Sequence, residues 1–276
     1  MAVEFSRNIT FGQYLDLPSP IHRLDSRAKI IALGGLMLAV FQTHGFAGYA
    51  IFLLGVALIQ GLSCVPLGYT LRGMRLLIGT LLIIVVFQVL FYPNPTPSSI
   101  LWRWGLLSLS LDGIRLGVLT IIRVVLLYYL TSTLMFTTGL VDLADGLEAL
   151  LEPLKRLRVP VNELIMVLVI AVKFVPLLVA ELERLIKAQA ARGVRFDQGN
   201  LLQRARKLGG LLVPIFINAF GRAEILIMAM DARCYRGGRG RTKRRRLVFR
   251  RSDVLALAVA LLIALGSVAV DRLVRV

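Results

Sequence analysis

Two triplets carry the residue types best suited to chemistry at a protein surface: Ala191-Arg192-Gly193 and Ala232-Arg233-Cys234. A small residue before each arginine lets a partner surface come close, and the planar guanidinium then offers a two-pronged fork to a carboxylate. Each triplet by itself also reads as an ordinary helix end, because Lys and Arg favour last turns for dipole reasons alone. Catalysis has no comparable foothold. His22 and His44, the only histidines, stand at opposite ends of one apolar segment. No apolar run contains a paired carboxylate, and the chain has no HExxH, GxSxG or GxxxxGK[ST], so any ATP is hydrolysed by another chain. Cys64 and Cys234 make no metal-ligand spacing and show no sign of pairing, so neither metal nor cofactor is expected.

The elements that position these triplets follow from composition. Of 276 residues, 57% are hydrophobic and the mean hydropathy is +0.76. A soluble domain of this size cannot hide that much apolar surface, so most of it faces lipid. Disorder, a collagen-like repeat and a disulfide scaffold are excluded. Residues 1–27 are polar and lack the short apolar core and small-residue cleavage site of a signal peptide. Apolar runs near bilayer-spanning length begin near Ala28 and cover 46–64 (closed by Pro66), 76–92 (closed by the Pro-rich 93–97), 114–136 and 254–270. Ser110 and Asp112 are candidate caps for the fourth. The expected fold is an all-α polytopic membrane protein. It has an N-terminal arm at 1–27, four membrane helices in 28–136, a helical cytoplasmic region at 137–251 and a C-terminal membrane helix at 252–276.

Two further apolar stretches, 164–182 and 208–230, would also trip a hydropathy scan. Charge argues against reading them as a hairpin of two spans. The stretch between them holds Arg184, Lys187, Arg192, Arg195, Arg204, Arg206 and Lys207, which a hairpin would put across the membrane from the basic run at 236–251. Short Lys/Arg-rich loops stay cytoplasmic. Keeping 139–251 and the N-terminus inside, with Arg72 and Arg75 in an inner loop, puts 28 of the 33 Lys and Arg on one face. The net charge of +17 then anchors topology against anionic lipid rather than binding nucleic acid, as nothing aromatic interleaves the run RTKRRR at 241–246. The stretch AELERLIKAQAARG at 180–193 places acids early and bases late and closes on Gly193, as a helix does. A second helix runs from about Leu201 through a kink at Pro214 to Cys234.

Read in order, IHRLDSRAK at 21–29, Thr137-Thr138, LEALLEPLKRLRVP at 147–160, KFVP at 173–176 and IKAQAARG at 186–193 resemble the transmembrane (T) component of energy-coupling factor transporters. These are prokaryotic ABC importers of vitamins and metal ions. The resemblance covers nearly the whole chain. FGQY at 11–14 and YRGG at 235–238 are more similar to the shared-module branch than to the dedicated cobalt or nickel (CbiQ-like) branch. The resemblance implies a subunit held between two cytoplasmic ATPases and one substrate-binding membrane protein, the S component. It implies that Ala191, Arg192, Gly193, Ala232, Arg233 and Cys234 dock into grooves on the ATPases. The family usually has Gly or Ser where Cys234 stands, and Asp-Pro-Arg where this chain has Asp25-Ser26-Arg27, in which Ser26 takes over the helix start as a cap.

An importer of this kind needs two rigid helices whose basic ends meet the ATPases and whose apolar faces grip the membrane part. Leu168, Leu177, Leu182, Leu185, Leu212 and Ile225 suit such faces, and equally suit an internal bundle core. Arg115 is expected to snorkel to the outer interface. Arg123, half-way through its span, needs a backbone carbonyl, a lipid phosphate or the S component as partner. Glu163, Lys173 and Pro176 are further candidates for structural or S-component contact. Glu163 and Lys173 are too far apart on one helix to pair locally. Two other readings are a dedicated cobalt or nickel T component and a membrane enzyme acting on lipid or prenylated peptide. The second requires a His/Glu/Asp cluster at membrane depth, and the sequence offers none.

Overall fold

The apolar runs fold as helices because their breakers stand at their ends. The computed structural model describes residues 14–15, 17–92, 100–104, 107–157, 160–194, 196, 200–237 and 248–275. The helices are α1 (Ser26–Gln42), α2 (Phe46–Ser63), α3 (Leu67–Leu90), α4 (Leu111–Thr137), α5 (Leu140–Leu151), α6 (Val161–Ala191), α7 (Leu201–Ala232) and α8 (Arg251–Arg275), with a 3-10 segment at Glu152–Leu157. An antiparallel hairpin, β1 (Ile100–Trp104) and β2 (Leu107–Ser110), precedes α4. The run 241–246, Phe11-Gly12-Gln13 and Gly238 lie outside the described residues.

Several starts differ from the expectation, each for a local reason. Ser110 caps α4 as expected, its hydroxyl accepting the N–H of Gly113 at 3.0 Å. At α1 the cap is Asp25, not Ser26. Asp25 is extended and its Oδ1 accepts the N–H of Arg27 at 3.0 Å, whereas Ser26 is already helical. Helix α3 begins at Leu67, directly after Pro66, so Arg72 and Arg75 belong to a helix rather than a loop. Nothing between Pro66 and the apolar run breaks a helix, so the helix simply propagates back to the proline. The stretch 180–193 is the last part of a longer helix that runs through Pro176, and α7 likewise runs through Pro214.

Among the described residues, five helices are long and apolar enough to cross a membrane: α2, α4, α6, Gly209–Ala232 of α7, and α8. Their number agrees with the expectation, but their membership differs. α1 has 17 residues and α3 contributes the shorter apolar stretch Leu77–Leu90. α6 and α7, expected as cytoplasmic helices, thus have the length and hydropathy of spans, and they are the barest of the five: 6% of each apolar window is buried, against 28%, 22% and 17% for α2, α4 and α8.

The chain forms two compact units. The first joins residues 14–147 with 247–276. Its core gathers Leu36 and Val40 of α1, Tyr49 and Phe52 of α2, and Leu126 and Leu130 of α4, with Ile263 of α8 packed against them. Close helix approach is the means of packing where lipid removes any hydrophobic drive between helices. A Cβ at Gly48 would collide with Thr43 Cγ2 and lie 3.0 Å from the Ser267 carbonyl oxygen. Two buried carboxylates on α8 fasten α1 at both ends. Asp253 Oδ1 accepts the N–H of Asp25 at 2.8 Å, while its Oδ2 accepts that of Arg250 at 2.6 Å. Asp271 Oδ2 accepts the N–H of His44 at 3.1 Å. These anions are tolerated because backbone donors replace the lost water. Buried Lys29 donates to the Thr137 carbonyl at 2.8 Å and to Thr138 Oγ1 at 3.2 Å, tying α1 to the end of α4.

The second unit, within residues 148–246, contains α6 and α7. They meet at Glu181. Its Oε1 accepts from Asn218 Nδ2 at 3.1 Å, and its Oε2 lies 3.5 Å from the Arg222 guanidinium and 3.8 Å from that of Arg184.

Candidate functional site

Helix ends leave backbone carbonyls without partners, and the chain resolves this at α6 and α7 in the same way. At α6, Arg192 is the C-cap, Gly193 N–H donates to the Ala190 carbonyl at 3.0 Å and Val194 N–H to the Gln189 carbonyl at 3.0 Å. At α7, Arg233 is the C-cap, Cys234 N–H donates to the Asp231 carbonyl at 2.9 Å and Tyr235 N–H to the Met230 carbonyl at 3.1 Å. This pair of bonds is the Schellman closure, which requires a left-handed residue after the cap. Gly193 supplies it at φ 91° and Cys234 at φ 55°. The two triplets are thus one structural unit built twice: alanine in the last helical position, arginine at the cap, a small residue turning the chain away.

Both ends are open to a partner. All six triplet residues are exposed. Among the described residues, neither Arg192 nor Arg233 makes a hydrogen bond or ion pair through its side chain. The small neighbours leave each guanidinium standing clear of bulk. What this arrangement can do is bind carboxylates presented by another surface, at two places.

The other expected site residues scatter. Glu163 is exposed in the first turn of α6, beside the turn that follows α7: a Cβ at Gly237 would lie 3.7 Å from Glu163 Oε1. Lys173 and Pro176 are exposed along α6. Arg123 belongs to the first unit, where its Nε donates to Tyr49 Oη at 2.8 Å and its guanidinium to the Thr43 carbonyl at 2.9 Å. The backbone carbonyl is the expected partner that the chain itself supplies. Arg115 stacks its guanidinium 5.7 Å from the ring centre of Phe46. Leu168, Leu177, Leu212 and Ile225 are exposed, and only Leu182 and Leu185 are partly buried, so an internal core does not account for these faces. Sequence reasoning missed the Glu181–Asn218–Arg222 junction. Its signal was three polar side chains interrupting otherwise apolar helical stripes.

The family model described as cobalt transport protein (CbiQ) matches residues 18–244. The "Energy-coupling factor transporter transmembrane protein EcfT" of Thermosediminibacter oceani is 41% identical over 265 residues, covering 95% of this chain and 97% of its own. The chain belongs to the EcfT family. Proteins of the same description from Ruminiclostridium cellulolyticum (40% over 253 residues, 92% and 93% covered) and Limosilactobacillus fermentum (34% over 256 residues, 93% and 95%) agree. An EcfT-family chain is a multi-pass transporter membrane protein, which accounts for its apolar helices. Both helix-end triplets fall within the segment matched by the family model.

Proposed function

We propose that this chain is the coupling subunit of an energy-coupling factor importer of vitamins or other micronutrients. Arg192 and Arg233 enter acidic grooves on two cytoplasmic ATPases, and α6 and α7 carry the ATPase movement to an S component in the membrane. The observation that carries this reading is the repeated helix end: two identical Schellman closures, each presenting an exposed arginine that pairs with no carboxylate among the described residues. Two copies of one device suit a pair of ATPases. Residues 139–251 and the N-terminus face the cytoplasm, and the bare apolar sides of α6 and α7 rest on the S component and on lipid at the interface. Arg123 serves the membrane unit itself, whereas Glu163, Lys173 and Pro176 lie on the α6 surface offered to the S component. The chain is not an enzyme, and hydrolysis belongs to the ATPases. The relatives carry the general transporter name rather than a metal's, which favours the shared module over a dedicated cobalt or nickel subunit.

The test is copurification. Arg192→Glu with Arg233→Glu abolishes recovery of both ATPases with the tagged chain while membrane insertion stays intact. Retained ATPases sink the docking assignment. Uptake assays with vitamin and metal substrates separate the shared module from the metal-specific one.

A further inference from the structure

The first unit contains a half-open cavity of about 350 Å³, walled by α1, α2, α4 and α8. Leu33, Leu58, Leu134, Leu255, Val259 and Ile263 make its surface almost wholly apolar. It reaches along α8 from Ser252 to Ile263, about 16 Å at 1.5 Å per residue. That is the hydrocarbon depth of one leaflet, about 15 Å. The end near Ser252 is basic. Arg23, Arg27 and Arg251 are the chain neighbours of the lining residues Leu24, Ala28 and Ser252, and Arg23 and Arg251 are exposed. Arg27 Nε is buried and has no hydrogen-bond partner among the described residues.

We propose that this groove binds one anionic diacyl phospholipid, with an acyl chain between α1 and α8 and the phosphate among Arg23, Arg27 and Arg251. Charge decides against a partner helix, whose apolar face would leave the basic mouth unanswered. The basic mouth supplies charge complementarity for the headgroup, and an anionic oxygen satisfies the orphaned Arg27 N–H.

The full chain, purified and delipidated in detergent, is titrated with phosphatidylglycerol or phosphatidylcholine of identical acyl chains and read by native mass spectrometry. One phosphatidylglycerol is retained per chain, about tenfold more tightly than phosphatidylcholine, the scale set by one or two basic residues facing an anionic headgroup. Arg23→Gln with Arg251→Gln brings phosphatidylglycerol down to the phosphatidylcholine level. Ala256→Trp, which fills the groove, lowers retention of both lipids, and Ala32→Phe does so from the opposite wall. Equal affinity of the unmodified chain for the two lipids overturns the proposal and requires no variant to fold. It is equally overturned if folded Ala256→Trp or Ala32→Phe protein holds phosphatidylglycerol unchanged. A Leu255→Cys chain that cross-links there to a partner membrane protein in the assembled transporter, with no lipid retained, assigns the groove to protein instead.

Discussion

Replacing Asp253 by alanine tests whether α8 fastens α1 through backbone donors. The carboxylate is 1% exposed and accepts two N–H groups. Truncation leaves the N–H of Asp25, itself only 9% exposed, buried without a partner, at about 1–3 kcal/mol. Arg250 is exposed, so its N–H recovers water and only the net worth of the bond is lost, about 1 kcal/mol. Removing a negative charge from the first turn of α8 adds about 0.5 kcal/mol. The sum is about 3 kcal/mol, which for a domain of this size lowers Tm by roughly 6–12 °C. Asp253→Asn keeps one acceptor but points an amide N–H₂ at the other backbone donor, so it recovers less than half of the loss. Thermal unfolding of the detergent-purified chain, followed by circular dichroism, gives the shift. Hydrogen exchange at Asp25 and the first turn of α1 shows whether the damage is local to the clasp. Exposed Arg272→Ala, on the same helix, is the neutral control. A Tm within about 2 °C of the parent, with unchanged exchange at Asp25, would refute the reasoning.

Two further outcomes follow from backbone geometry. Cys234 holds a left-handed φ of 55°, a conformation that costs a side chain about 1–2 kcal/mol, partly offset by the greater unfolded freedom of glycine. Cys234→Gly therefore slows amide exchange at residues 234 and 235 about two- to fivefold, and faster exchange contradicts the strain. On α2, Gly48→Ala forces a Cβ against Thr43 and the Ser267 carbonyl, costing about 1–3 kcal/mol. Gly61→Ala, with nothing within 4 Å of its Cβ, is neutral or stabilising by up to about 1 kcal/mol. Equal Tm values for the two would remove the close-packing account of α2 against α8.

The helices and most of their ends were legible because they are local. Pro66, Ser110 and Gly193 act on backbone within a few residues of themselves, and apolar runs of bilayer length report themselves. The two Ala-Arg-small triplets were legible as residue types in sequence order. Their shared closure was not, because nothing in the identity of a cysteine announces a positive φ; only the two hydrogen bonds around Cys234 do. The early start of α3 was hidden by Arg72 and Arg75, which read as loop charges but are tolerated near a helix end. Asp253 and Asp271 stayed invisible for a different reason. Their partners, Asp25 and His44, are more than two hundred residues away and contribute only backbone N–H groups, so no side-chain pattern links them. The junction at Glu181 likewise pairs residues some forty positions apart and depends on how two helices cross.

That junction sits off-centre on both helices. From Glu181, α6 extends about 16 Å to Arg192 but about 30 Å back to Val161. From Arg222, α7 extends about 16 Å to Arg233 and about 31 Å back to Leu201. Under the proposed coupling role each helix works as a lever with its fulcrum nearer the arginine. A turn of either about the Glu181 contact carries its far end nearly twice the distance travelled by its tip, with force reduced in the same ratio. The prolines, Pro176 and Pro214, both lie on the long side of the junction, so a proline bend falls on that side and leaves the short, arginine-bearing side regular.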